Sequence, residues 1–264
     1  MKYATMTAAA CLFLSATSGL PDTLIKFKTN APGSPDSMSI KGSKVLISAP
    51  EGKGRFIMDT AAGKITMIND QEKKYFELDN KTVEQTSSMM KMMQNAMLAQ
   101  LKNLPPEQRK AIESRLGLQQ KTPPAPKVEI KPTSAVIKVN GIPCTMTNIF
   151  TDGKKTAEAC VATTKAAGIS EADFATMQKM FRMSRELAEK AASMSGAAAG
   201  KFARSLAPDL DGFPMEVRDL RNGNNVIVSK IEKTYLSDTS FKPGRGYQKF
   251  NPIQEMQKLM QRPN

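Results

Sequence analysis

Residues 55–78 read RFIMDTAAGKITMINDQEKKYFEL. Three short runs, 55–59, 64–68 and 74–78, are rich in β-branched, aromatic and other apolar residues. Gly63 marks the first link between them and Asn69-Asp70 the second. Strand-like runs about ten residues apart, punctuated by turn residues, are the signature of an antiparallel meander. The pattern extends upstream. Residues 24–27 read as a strand, and 39–41, Gly42-Ser43 and 44–47 read as a hairpin.

Downstream the period changes. Val83, Met90, Met93, Met97, Leu101 and Leu104 recur at helical spacing, and Pro105-Pro106 ends that helix. Pro106 suits the first turn of a second helix over 107–116, which Gly117 stops. This helical insertion at about 80–118 leads into a Pro-rich connector, 121–132, holding Pro123, Pro124, Pro126 and Pro132. Strands resume at 135–139, before Asn140-Gly141, and at 141–151 and 154–162, on either side of Asp152-Gly153. Ser170, with Asp173 three residues on, caps a long helix carrying Phe174, Met177, Met180, Phe181, Leu187 and Met194. Two more strands, 214–220 and 224–235, are joined by Asn222-Gly223, and 253–261 reads as a short tail helix. This order predicts an α+β fold: one curved antiparallel sheet, with helices packed on it, over residues 20–250.

Residues 1–18 read as a signal peptide. Lys2 supplies the positive start, an apolar run carries Leu12, Phe13 and Leu14, and Ala16, Ser18 and Gly19 offer a cleavage site. The run is shorter than the ~20 residues a spanning helix needs, so no transmembrane segment is expected in the mature chain. Cys11 does not read as a lipidation site, because the apolar run continues after it. The expected location is the periplasm or another exported compartment, in a Gram-negative bacterium. Two cysteines remain there, Cys144 and Cys160, and an even count in an exported chain favours a disulfide. A hairpin turning at Asp152-Gly153 brings the two within reach of one another.

The composition excludes much chemistry. The chain of 264 residues has no histidine and no tryptophan. A Ser-His-Asp triad, a Cys-His pair and His-ligated zinc or haem are therefore absent. Asp59, Glu77 and Asp79 read as solvated carboxylates at strand ends, not as a matched acid and base. Neither Gly52-Lys53-Gly54 nor 196–200 has the spacing of a phosphate loop. No enzyme activity and no cofactor is expected. The formal net charge is +13, or +12 without Lys2. In an exported protein this points to anionic envelope surfaces rather than to nucleic acid, for which no motif is present.

Eighteen methionines are the most unusual feature. Met fills irregular cores, adapts to apolar ligands and, as a thioether, binds Cu(I). Core packing is the first reading. The second is a groove for lipid or another apolar ligand between the sheet and the long helix. Met177, Met180, Phe181 and Met194 would line it, and Met90, Met93 and Met97 would close it. All-thioether copper binding ranks last, and no metal site is assigned.

Several stretches together resemble an exported bacterial family known as domain of unknown function 4412. They are 56–59, 66–69, 73–76, the Met-rich helix with 104–109, 140–144, 152–155, 157–162 and the 241–247 stretch FKPGRGY. The resemblance implies a fold like the lipoprotein carriers LolA and LolB, an incomplete barrel with helices on its concave face. It implies no assigned activity and no ligand residues. Two functional expectations follow: a non-enzymatic envelope protein that binds an apolar ligand, or a structural or protein-interaction module with a filled core.

Overall fold

The structure, a computed structural model, describes residues 21–52, 54–101, 104–109, 127–195 and 210–251. The expected signal peptide, Cys11, the residues 110–126 and the tail helix at 253–261 lie outside them. Two antiparallel meanders make up most of the described residues. The first comprises β1 (Asp22–Thr29), β2 (Ser37–Lys41), β3 (Lys44–Ser48), β4 (Arg55–Asp59), β5 (Lys64–Asn69) and β6 (Lys74–Leu78). The second comprises β7 (Val128–Val139), β8 (Ile142–Thr151), β9 (Lys154–Ala162), β10 (Phe213–Asp219) and β11 (Asn225–Thr234). A two-residue strand, β12 (Gln248–Lys249), adds to β6 in parallel.

The meanders fuse because β1 pairs with β11 along its whole length, Asp22 opposite Thr234 through Thr29 opposite Val226. The result is one sheet in the order β12-β6-β5-β4-β3-β2-β1-β11-β10-β9-β8-β7. The Asn140-Gly141 and Asp152-Gly153 turns have positive φ at both residues, about 50° and 80°, the backbone that two-residue hairpins require. Asn140 also donates from its side chain to the carbonyl of Val228 on β11 at 2.5 Å, so the β7–β8 turn reaches across the second half of the sheet.

The described helices include α1 (Asn80–Leu101), α2 (Thr164–Ala167) and α3 (Glu171–Ser195), and residues 106–109 are helical as well, where the sequence expects the second helix to begin. Ser170 caps α3 as expected, its Oγ accepting from the Asp173 N–H at 3.1 Å. The main core lies between α3 and one face of the sheet. Ile25, Met38, Ile40, Val45, Met58, Ile65, Val228, Met177 and Met180 share it. On the opposite face, Phe241 and Tyr247 pack on Leu46, Ile57 and Ile68.

The α+β expectation is corrected. Strand outweighs helix among the described residues, in a 12-stranded sheet that is not closed, so the fold is sheet-dominated and not an α+β arrangement with helices filling a concave face. The physical reason lies in α1. It contacts β6 and α3 rather than lying across the sheet, and Met92 on it is 67% exposed. Its helical period in the sequence reports a helix but not a covered sheet face. The strands are also longer than the sequence suggests. Val128–Pro132, read as connector, belongs to β7, because a two-residue irregularity between Pro132 and Val136 lets the strand pass its proline.

The Cys144–Cys160 disulfide is present, with Cα atoms 5.3 Å apart. Its formation depends on a feature absent from the expectation. Thr151 and Phe150 pair with Lys154 and Lys155, but Ile149 pairs with Ala157, leaving Thr156 as a bulge. Cross-strand partners share a face and successive residues alternate. Without the bulge, Cys160 would stand opposite Thr145 and point away from Cys144. With it, Cys160 stands opposite Met146, on the same face as Cys144, and both sulfurs are buried in the main core.

Candidate functional site

The helix-covered face has a closed part and an open part. In the closed part, α3 is fixed to the sheet by polar contacts at intervals along its length. The Asp173 carboxylate accepts from Thr23 Oγ1 at 2.7 Å and from Lys233 Nζ at 3.1 Å. Thr176 Oγ1 donates to the Gly42 carbonyl at 2.9 Å. Ser184 Oγ lies 3.5 Å from Met58 Sδ. Between these ties Met177 and Met180 are 2% and 1% exposed, packed among sheet side chains. Phe181 is half-buried and packs against the same cluster. The other expected lining residues are Met194 on α3 and Met90, Met93 and Met97 on α1; their side chains lie outside the described residues.

The open part follows from register. Val45, Met58, Ile65 and Leu78 stand opposite one another across β3 to β6, and this row belongs to the main core. The next row on the same face is Ile47, Phe56, Met67 and Phe76. Ile47 and Met67 of this row still pack against the main core, whereas Phe56 is 37% exposed. Phe56, Met67 and Phe76, joined by Phe250, line a concavity of about 440 Å³. Its rim is polar, with Asn69, Glu72 and Lys74, the last two ion-paired at 3.2 Å. An apolar floor with a few polar groups at the mouth is the usual build of a small-molecule site.

The floor of this concavity is held from behind. On the opposite face Arg55 makes a bidentate pair with Asp70, Nε to Oδ2 at 2.9 Å and Nη2 to Oδ1 at 2.8 Å. Tyr247 donates its hydroxyl to the same carboxylate at 2.8 Å, and Arg55 Nη1 donates to the Ser240 carbonyl at 3.2 Å. This clasp fastens the 236–250 segment across β3 to β6. Gly244 is required in it, since a Cβ there would lie 2.6 Å from the Tyr247 ring. The hydrogen-bonded Arg55 guanidinium holds the Asp70 carboxyl below its ordinary value of 3.8, with Tyr247 adding to the effect. Asp70 in turn raises the Tyr247 phenol, because the neutral O–H is the donor.

A folded-state value below the unfolded one means that the contribution to stability is complete above the unfolded value. It is lost as pH falls through the folded value. Stability in urea should therefore decline with acid below about pH 4, and Asp70→Asn should flatten part of that decline while lowering stability at pH 7. Urea midpoints measured from neutral to acid pH check this. A variant with an unchanged acid profile would show that Asp70 does not carry it.

The sequence located Met177, Met180 and Phe181 on a buried helical face but missed Phe56, Met67, Phe76 and Phe250. The strands holding the first three were legible. Their alignment into one row was not. The large apolar side chains at matching positions of successive strands, Phe56, Met67 and Phe76, were the available signal.

No family model and no curated protein matches the chain. Among solved structures, the chain is similar to PNGF-II in a C2 crystal form, with 9% identity and a TM-score of 0.39 over 91% of this chain. It spans 33% of that protein's length. It is also similar to an uncharacterized conserved protein from Thermus thermophilus, with 5% identity and a TM-score of 0.42, covering 87% of this chain and 90% of the other. Superpositions this loose are not grounds for a shared fold or activity.

Proposed function

We propose that the chain is an exported, non-enzymatic binding protein that holds an apolar ligand, such as an acyl chain, in the concavity of Phe56, Met67, Phe76 and Phe250. The observation that carries this reading is the exposed Phe56, which with Met67, Phe76 and Phe250 lines an apolar concavity beside a row that belongs to the main core. Burying a phenylalanine side chain is favourable by roughly 2 kcal/mol, so covering the exposed Phe56 favours whatever fills the concavity. The thioether of Met67 adapts to chains of different shape. Export is supported by the disulfide, which persists in oxidising compartments, and by the signal-like start of the sequence. No described helix is long and apolar enough to cross a membrane. The basic charge suits anionic headgroups of the envelope.

A second reading, a structural or protein-interaction module, is favoured by the burial of Met177 and Met180, which fill the position where the sequence placed a groove. The two are separated by native mass spectrometry and lipid extraction of protein purified from its own envelope, together with titration of a fluorescent fatty acid. The ligand reading expects co-purified lipid and saturable binding. Phe56→Asp should weaken binding about tenfold or more with little loss of stability, since the side chain is already partly in water, and Phe56→Leu should retain most of it. Lipid-free protein that ignores the probe would leave the second reading standing.

A further inference from the structure

β7 is a 12-residue strand at the edge of the sheet, paired on one side only, with β8. Its first half is protected as natural edges are, by charge, proline and irregularity. Glu129 lies between Lys127 and Lys131, at 2.8 and 3.0 Å, and Pro132 precedes the shift in register. Its second half lacks these devices apart from Lys138. Residues 134–138 are all exposed, and among them Val136 and Ile137 are 64% and 41% exposed.

The backbone there is oriented for pairing. Lys138 stands opposite Pro143, which has no N–H to give, so this is a non-hydrogen-bonded pair of the β7–β8 ladder. In an antiparallel ladder the residues of such pairs turn their N–H and C=O away from the partner strand, and the same holds two residues along. The backbone groups of Val136 and Lys138 therefore point to the open edge, where no described strand meets them.

We propose that this edge pairs antiparallel with the same edge of a second copy of the chain, about a two-fold axis through Ile137. That register places Ile137 opposite its own copy, an apolar cross-strand pair. It sets Val136 opposite Lys138 of the other copy, and Lys138 opposite Val136. All four residues in these two pairs are those whose N–H and C=O point outward, so each pair can exchange two backbone hydrogen bonds. No like charges meet directly, although the chain as a whole is strongly basic. The bulge and proline on one side and the Asn140-Gly141 turn on the other confine the pairing to this short segment.

Sedimentation of the chain from about 1 µM to about 1 mM tests the assignment. A concentration-dependent dimer is expected. Val136→Glu places a carboxylate opposite Lys138 twice per dimer and should tighten association roughly three- to tenfold, whereas Val136→Lys should weaken it by a similar factor. Lys138→Pro deletes an outward N–H without touching the β7–β8 ladder and should abolish the dimer. A chain monomeric throughout this range overturns the proposal, as does one that stays monomeric yet captures an added extended peptide at this edge. So does a dimer that responds to the Val136 variants in the same direction, a result independent of whether the proline variant folds.

Discussion

Met180→Ala should lower the unfolding free energy by about 3 kcal/mol, within the range of 2–5 expected for removing a buried Met side chain. Met180 is 1% exposed and sits where α3 meets the sheet, with Thr176 and Ser184 tied to the sheet on either side. Those ties keep the helix from settling into the space left behind, so the loss is not relieved by collapse. Met180→Leu nearly preserves volume and should cost under about 1.5 kcal/mol. Urea unfolding of the three proteins checks both numbers. The pair also sorts the readings of methionine in this chain. A packed core distinguishes Ala from Leu and is indifferent to sulfur; a thioether metal site loses Cu(I) with either change. An alanine variant as stable as the parent would mean that the space beneath α3 is already empty.

The second large effect belongs to the disulfide. Fifteen residues lie between Cys144 and Cys160, and a bridge closing a loop of that size contributes roughly 3 kcal/mol on the loop-entropy model. Replacing both cysteines by alanine should shift the urea midpoint accordingly, and reductant should do the same to the parent. Intact-mass measurement without reductant should find no free thiol on either residue. Deleting Thr156 supplies a sharper version. It removes the bulge, turns Cys160 to the other face of β9, and should leave two reduced cysteines in a hairpin that still forms. Full oxidation of the Thr156-deleted chain would contradict the account of how the register places the sulfurs.

The local chemistry was readable because it is local. Asn140-Gly141 and Asp152-Gly153 announce their turns through the one backbone geometry that suits them, and Ser170 announces a helix start through its side chain. The runs of β1 to β6 show themselves by length and spacing. What the sequence did not disclose depends on counting across strands. One extra residue, Thr156, changes which face Cys160 occupies, and nothing about threonine at that point marks it as surplus. The concavity at Phe56, Met67 and Phe76 depends on how neighbouring strands align and on where Phe250 lies, properties of tertiary packing. The Met-rich α1 misled for a related reason. Its apolar spacing says that some face is buried, whereas the partner it buries against is set by the direction in which the chain leaves β6.

The pairing of β1 with β11 has a consequence for the time order of folding. β1 is the first described strand, yet one of its two neighbours lies about two hundred residues away along the chain, Asp22 meeting Thr234. The segment beyond β11 then returns to the first meander, where Tyr247 meets Asp70 and β12 lies against β6. As the chain emerges, β1 to β6 form a sheet open at both edges, β1 awaiting β11 and β6 awaiting β12, and both wait for nearly the whole remaining chain. Distant closures of this kind make folding slow, and an exposed strand edge invites pairing with other chains in the meantime. The nascent protein is thus most vulnerable between the appearance of its sixth strand and its eleventh, an interval in which a holding chaperone would have the most to protect.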